Sequence, residues 1–249
     1  GESGRIKSNG TKTPYETANI DFEIVKLTNK PNPNFLLLAH AQPLEQQESY
    51  FNCIKPNYEK LGCSWKFLPS DKLTDTKYVN DLLDWADIIY EGGGDTMTMI
   101  KLWCDTGFDK KLKKAYDIGK VMCGLSAGAN CWFKLCSTDS LKILYGEDKP
   151  LVSMECLGFI DGLFVPHCDE KDRMESVKEI LRNIPGTVGI AMSNCAAIEI
   201  VDNQYRIICG DANHRNITPY GLKVYWNSGK YFEHKLETSD KLKPLSELY

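Results

Sequence analysis

Ser126 stands at the centre of Gly124-Leu125-Ser126-Ala127-Gly128, and its setting gives that pattern chemical meaning. A short apolar run, Lys120-Val121-Met122-Cys123, precedes it, and a helix-like run, Ala129 to Cys136, follows. Strand, sharp turn and helix is the context that lifts a serine hydroxyl above a sheet edge as a nucleophile. Flanking glycines suit the strained backbone at the tip of such a turn. The first amides of the next helix then point at the reacting centre, where an oxyanion forms. The competing reading is a helix start with Ser126 as an ordinary cap.

A serine nucleophile needs a base to take its proton and return it to a leaving amine. His167 follows the apolar run Leu163-Phe164-Val165 and Pro166, so it too stands at a strand end. His40 ends a strand far upstream, while His214 and His234 lie in the polar C-terminal part, and all three fit less well. A carboxylate should fix the imidazole tautomer and stabilise its cation. Asp139, in Ser137-Thr138-Asp139-Ser140, is the first choice; Asp169 and Glu170 are too close in sequence to His167 for easy alignment. The run Glu91-Gly92-Gly93-Gly94-Asp95-Thr96 follows another apolar strand. Its glycines let backbone approach a ligand, with Gly93 or Gly94 giving one oxyanion amide and Ala127 the other. Asp95 or Thr96 can cap the next helix. No Gly-Lys-Ser/Thr ending or dinucleotide spacing supports a phosphate loop.

The elements that must hold these residues alternate. Strands are expected at Asn34–His40 and Asp87–Tyr90, both buried, and at Cys63–Leu68 and Lys120–Cys123. Helices are expected at Leu44–Leu61, Tyr78–Trp85, Thr96–Cys104 and Phe108–Ile118. That alternation implies right-handed crossovers and a mostly parallel, doubly wound α/β sheet. Asp139 to Gly162 reads as a long excursion and Asp172–Asn183 as a helix. Strands follow at Thr187–Met192, Ala196–Val201 and Tyr205–Cys209, and Asn227-Ser228-Gly229 marks a C-terminal hairpin. The chain reads as one domain over residues 1–249. Its start is loop-like where a doubly wound sheet normally opens with a strand, so a first strand is either missing or was never there.

The chain has 249 residues, 42% hydrophobic and 26% charged, with a net charge of −4. Acids and bases are mixed along it, which leaves no electrostatic footprint for nucleic acid or an anionic membrane. No apolar run approaches the ~20 residues of a membrane span, and no signal-peptide core is visible. Ten cysteines without a C-x-x-C pair, several inside apolar segments, read as reduced thiols in a cytoplasmic protein. The four histidines show no zinc-ligand spacing. Two sequons, at Asn9 and Asn216, read as chance matches.

Taken together, Gly92-Gly93-Gly94-Asp95-Thr96, then Gly124-Leu125-Ser126-Ala127-Gly128-Ala129-Asn130, then Pro166-His167 resembles the dipeptidase E (α-aspartyl dipeptidase) and cyanophycinase family of serine peptidases. The similarity runs from about Glu16 to Asp202. It implies a flavodoxin-like, class I glutamine amidotransferase-like α/β fold and hydrolysis of peptide bonds next to aspartate without metal or organic cofactor. It implies Ser126 as nucleophile, His167 as base and Asp139 as acid, with Gly93, Gly94 and Ala127 around the oxyanion. Arg173 falls where the family carries an arginine facing the substrate's aspartyl carboxylate, and Asp95 and Thr96 join it as candidate substrate contacts. A guanidinium suits that role as a fork for a carboxylate. One departure matters: many relatives carry an acid in the stretch matching Ala191-Met192-Ser193-Asn194, where this chain has Ser193 and Asn194. That motivates a rival reading, a non-catalytic peptide- or small-molecule-binding member of the same fold. A cysteine-based amidotransferase is a third option, with Cys123 inside the strand. The expected partner is a small peptide, and the oligomeric state is left open, a homodimer being one option.

Overall fold

The computed structural model describes residues 11, 13–213 and 216–249; His214 and the first sequon's Asn9 lie outside them. The chain runs α1 (Ala18–Lys26), β1 (Asn34–Leu37), α2 (Leu44–Lys60), β2 (Ser64–Phe67), α3 (Thr76–Trp85), β3 (Ile88–Glu91), α4 (Thr96–Thr106), α5 (Phe108–Asp117) and β4 (Val121–Gly124). These four strands pair in parallel, in the order β2-β1-β3-β4. Alternate residues of β1 serve opposite layers. Phe35 and Leu37 pack with Val25, Phe51 and Tyr58 from α1 and α2. Leu36 packs with Leu82, Trp103 and Phe108 from α3, α4 and α5. A strand covered on both faces has no polar side to show, which is why NFLLL reads as an unbroken apolar run. Helix α1 precedes the first strand expected from the sequence and is an element that reading did not foresee.

Beyond β4 come α6 (Ala127–Asn130), β5 (Phe133–Thr138), α7 (Ser140–Tyr145), β6 (Val152–Glu155), β7 (Ile160–Val165) and α8 (Arg173–Arg182). Then follow β8 (Gly189–Met192), β9 (Ala196–Val201), β10 (Gln204–Cys209), β11 (Gly221–Asn227), β12 (Lys230–Leu236) and β13 (Lys243–Pro244). The helix expected over Ala129–Cys136 is therefore one turn followed by a strand. Tertiary pairing overrides local preference here. Strand β5 lies parallel to β7, and Phe133 stacks on Phe164 with ring centroids 4.6 Å apart. The expected excursion over Asp139–Gly162 holds α7 and β6, the latter antiparallel to β5.

Among the described residues these strands make a second sheet, in the order β12-β11-β8-β7-β5-β6, and a small antiparallel sheet, β13-β10-β9. Its inner pairs, β5 with β7 and β7 with β8, are parallel; the hairpin β11–β12 is antiparallel, as the Asn-Ser-Gly turn predicts. The architecture is thus mixed α/β, a parallel sheet wound by helices with additional antiparallel strands. Strand β4 is an edge of the first sheet, and its carboxyl end carries Ser126 toward the carboxyl end of β7 in the second.

Candidate active site

Ser126 has φ 53° and ψ −115°, outside the regions a serine normally occupies. Such strain costs about 1–3 kcal/mol and persists only where the surroundings impose it. They impose it through backbone packing. A Cβ at Gly124 would come within 2.5 Å of the Glu91 carbonyl oxygen, and one at Gly128 within 2.1 Å. Both contacts are forbidden, so only glycine lets the turn lie flat against the end of β3. The glycines of the motif are thus a packing requirement as much as a conformational one.

His167 follows β7 and Pro166, with φ 56°. Its Nε2 lies 3.0 Å from Ser126 Oγ, and its Nδ1 lies 3.0 Å from Asn194 Oδ1. Asn194 stands just past the end of β8, so neighbouring parallel strands deliver the imidazole and its partner side by side. The expectation that Asp139 backs the imidazole is not met, because Asn194 fills that place. Asp139 instead sits with Oδ2 3.7 Å from Arg173 Nη2. It lies between the unforeseen strand β5 and α7. The Asn194 backbone N–H donates to Asp169 Oδ1 at 2.7 Å, and its side-chain Nδ2 lies 3.2 Å from Oδ1 and 3.4 Å from Oδ2 of the same carboxylate. Glu170 Oε1 is 3.8 Å from His167 Nδ1.

The glycine loop after β3 does lie against Ser126. A Cβ built on Gly93 would sit 3.5 Å from the Ser126 Cβ. The Gly93 amide donates to the Tyr50 hydroxyl at 2.9 Å, a partner with no signal in the local sequence because it comes from α2. Gly94 has φ 144°, and a Cβ there would meet the Ala41 carbonyl oxygen at 2.1 Å. Ala127 opens α6 and is buried directly after the nucleophile candidate.

The three candidate substrate contacts are engaged within the protein. Asp95 caps α4, its carboxylate accepting from the Met97 and Thr98 amides at 3.1 and 3.3 Å and from the Thr98 hydroxyl. Thr96 is buried, and its hydroxyl accepts from Asn130 Nδ2 at 3.1 Å, pinning the elbow helix to α4. Neither lines the cavity at Ser126: a cap must turn its oxygens back on its own helix, and Thr96 faces the core. Arg173 is 4% exposed and shared between Glu170, at 3.1 Å, and Asp139.

A cavity of about 250 Å³ opens beside Ser126 and His167 and follows the edge of β4. Met122, Phe133, Phe164 and Ile198 are among its apolar walls; its two carboxylates are Asp21 and Glu199, and Arg173 does not line it. Asp21 is held by the hydroxyls of Tyr15 and Tyr58 at 2.7 and 3.1 Å. Burial raises its pKa, a shift those bonds oppose.

The other two described histidines have other work. His40 is buried, donates from Nε2 to the Leu68 carbonyl at 2.8 Å and accepts at Nδ1 from Trp103 Nε1 at 2.9 Å. Burial pulls its pKa down to about 4, so it is a neutral core histidine. His234 Nε2 meets the Tyr225 hydroxyl on the hairpin. All ten cysteines are free thiols. Burial pushes the Cys123 thiol well above its ordinary range, which suits packing and not nucleophilic attack. Among the described residues no group of three His, Cys, Asp or Glu is arranged to hold a metal, and no helix is long and apolar enough to cross a membrane.

The chain is similar to known proteins. The model of peptidase family S51 matches residues 6–208. An uncharacterized peptidase, YgaJ, from Bacillus subtilis (strain 168) is 30% identical over 190 residues, covering 76% of this chain and 78% of its own. The crystal structure of a peptidase from an acI-B1 actinobacterium superposes with a TM-score of 0.69 at 20% identity, over 92% of this chain and 91% of that one. A putative peptidase E from Listeria monocytogenes EGD-e gives a TM-score of 0.57 at 18% identity, over 78% and 95% of the two chains.

Proposed function

Because this chain belongs to peptidase family S51 and is a serine-type peptidase acting on peptides, we propose that Ser126 is its nucleophile and His167 its general base. The observation that carries this is the 3.0 Å approach of His167 Nε2 to Ser126 Oγ on a strained elbow. Asn194 Oδ1 is only an acceptor, so it pairs with a protonated Nδ1 and leaves the Nε2 lone pair facing the serine hydroxyl. Attack of Oγ on the scissile carbonyl carbon forms the C–O bond as Nε2 takes the hydroxyl proton. The carbonyl oxygen becomes an oxyanion beside the Gly94 and Ala127 amides, with Gly93 joining when Tyr50 releases it. The imidazolium passes its proton to the leaving amine as the C–N bond breaks. Water then hydrolyses the acyl-enzyme with His167 again as base.

The substrate class is small peptides, with preference for Asp-X bonds resting on Arg173. For that preference, a substrate carboxylate must replace Glu170 on the guanidinium. A second reading is favoured by the cavity at Ser126: its apolar walls and two carboxylates suit a substrate with an apolar side chain there. A fluorophosphonate probe tests the nucleophile. Wild type should be labelled and Ser126→Ala should not; equal labelling of both would move the nucleophile elsewhere. A dipeptide panel comparing Asp-X with Leu-X separates the two substrate readings.

A further inference from the structure

We infer that Asp169 is a positioning residue that holds the Asn194 side chain with its oxygen toward His167. This rests on the reading of Ser126 and His167 as nucleophile and base. An asparagine has two ends of nearly equal size and opposite function. With the oxygen toward His167, the imidazole carries its proton on Nδ1 and keeps the Nε2 lone pair for Ser126. With the NH2 group there, Nδ1 would have to accept, the proton would sit on Nε2, and no base would face the hydroxyl. Nothing in Asn194 itself chooses between these arrangements.

The choice comes from the opposite side. The Asp169 carboxylate, which only accepts, takes the Asn194 backbone N–H at 2.7 Å and stands 3.2 and 3.4 Å from Nδ2. Turning the amide over would aim its oxygen at two carboxylate oxygens. The turn after β7 makes this geometry available. The Cys168 amide donates to the Met192 carbonyl and the Glu170 amide to the His167 carbonyl, both at 3.0 Å. His167 and Asp169 thus meet Asn194 at different atoms without touching each other. The other carboxylate facing the ring, Glu170, is half exposed, 3.8 Å from Nδ1 and shared with Arg173, so it does not set the amide. The negative charge that serves the imidazole stands one residue further back than in a Ser-His-Asp triad.

The test compares Asp169→Ala with Asp169→Ala/Asn194→Asp. Freeing the amide in the single variant should lower kcat about ten- to a hundredfold with little change in KM. A carboxylate at position 194 accepts at either oxygen and needs no orientation, so the double variant should recover most of the loss. A role confined to anchoring the loop through the Asn194 backbone would not be rescued this way. Asp169→Asn, which keeps an acceptor on that backbone, gives the same comparison where the alanine variant does not fold. Histidine 15N spectra supply a readout besides turnover: His167 should be Nδ1-protonated in the wild type and a tautomer mixture in Asp169→Ala. A folded Asp169→Ala with wild-type kcat and spectrum, or a loss that Asn194→Asp does not reverse, would overturn the inference. Ser126→Ala run alongside separates the two levels. If it stays active, the nucleophile assignment has failed; if it is inactive while Asp169→Ala is unimpaired, only the role of Asp169 has failed.

Discussion

Asn194 Oδ1 and His167 Nδ1 are 3.0 Å apart, and this contact puts an amide dipole where a serine peptidase commonly has a carboxylate. On the proposed mechanism the dipole selects the tautomer but supplies no full charge to the imidazolium that forms during turnover. Replacing Asn194 by leucine removes the acceptor while keeping the bulk. Asn194→Leu should therefore lower kcat by about a hundredfold or more, the scale on which single oriented groups act at such sites. Steady-state kinetics on the best dipeptide would check it, and a change under threefold would remove Asn194 from the mechanism.

Arg173 tests the aspartyl preference. A charge-assisted contact is worth roughly 1.5–3 kcal/mol. If the guanidinium meets the substrate carboxylate, Arg173→Ala should cut kcat/KM for Asp-X about ten- to a hundredfold and spare Leu-X. If Arg173 only ties Glu170 to Asp139, both substrates should change together. That second result would leave the apolar cavity as the source of selectivity.

Glu91 links stability to pH. Its side chain is fully buried at the end of β3, and burial raises its pKa from an ordinary 4.5 to about 8. Oε1 accepts from the Ala41 and Gly92 amides at 3.1 and 3.0 Å, while Oε2 has no partner among the described residues. A raised folded pKa means its contribution is complete below pH 4.5 and is lost as pH climbs through about 8. His40 acts in the opposite sense: its folded pKa near 4 lies below its ordinary 6.5, so between those values stability rises with pH. The two offset each other between about pH 4.5 and 6.5. From about 6.5 to 8 the Glu91 contribution is unopposed, at up to about 1.4 kcal/mol per pH unit. Wild-type Tm should fall across that window. Glu91→Gln, which keeps the Oε1 acceptor without a titrating proton, should flatten the decline; parallel curves for the two proteins would rule Glu91 out.

Gly128 carries the elbow. A methyl group there meets the Glu91 carbonyl oxygen at 2.1 Å, a backbone atom that cannot step aside cheaply. Gly128→Ala should cost roughly 2–4 kcal/mol by denaturant unfolding. It should also displace Ser126 from His167, so any folded fraction should resist fluorophosphonate labelling. Full labelling at unchanged stability would contradict the packing argument.

The sequence made some of this legible, for reasons that sort by range. The parallel sheet could be read chiefly from β1 and β3, because strands covered on both faces become continuous apolar runs, as after Pro33 in Asn34–Leu37 and at Ile88-Ile89-Tyr90. Ser126 and His167 could be read because each ends such a run, where open sheets present their loops. What could not be read depends on distant pairing. Phe133 and Leu135 look helical beside Ala129, but β7 claims them as a strand. Asp139 follows that strand and meets Arg173, and the place behind His167 falls to Asn194, whose position is decided by β7 and β8 lying side by side. The sequence did offer one clue, since the family resemblance implied an acid in the stretch that holds Asn194. Asp169 was passed over as too near His167 in sequence, because its contact with Asn194 arises only in three dimensions.

The division into two sheets has a consequence for how this enzyme should fail on heating. Ser126 rides on the edge of one sheet, whereas His167 and Asn194 ride on the other. A slip of about 1 Å between them leaves both cores intact and all strand ladders paired, yet it would break the proposed proton path from Oγ to Nε2. The Ser126–His167 distance is thus a gauge of sheet alignment. Thermal inactivation should set in several degrees below calorimetric melting and reverse on cooling, with labelling by a serine probe fading before far-UV ellipticity does. Tight-binding acyl inhibitors, by bridging the two sheets covalently and through contacts, should narrow that gap.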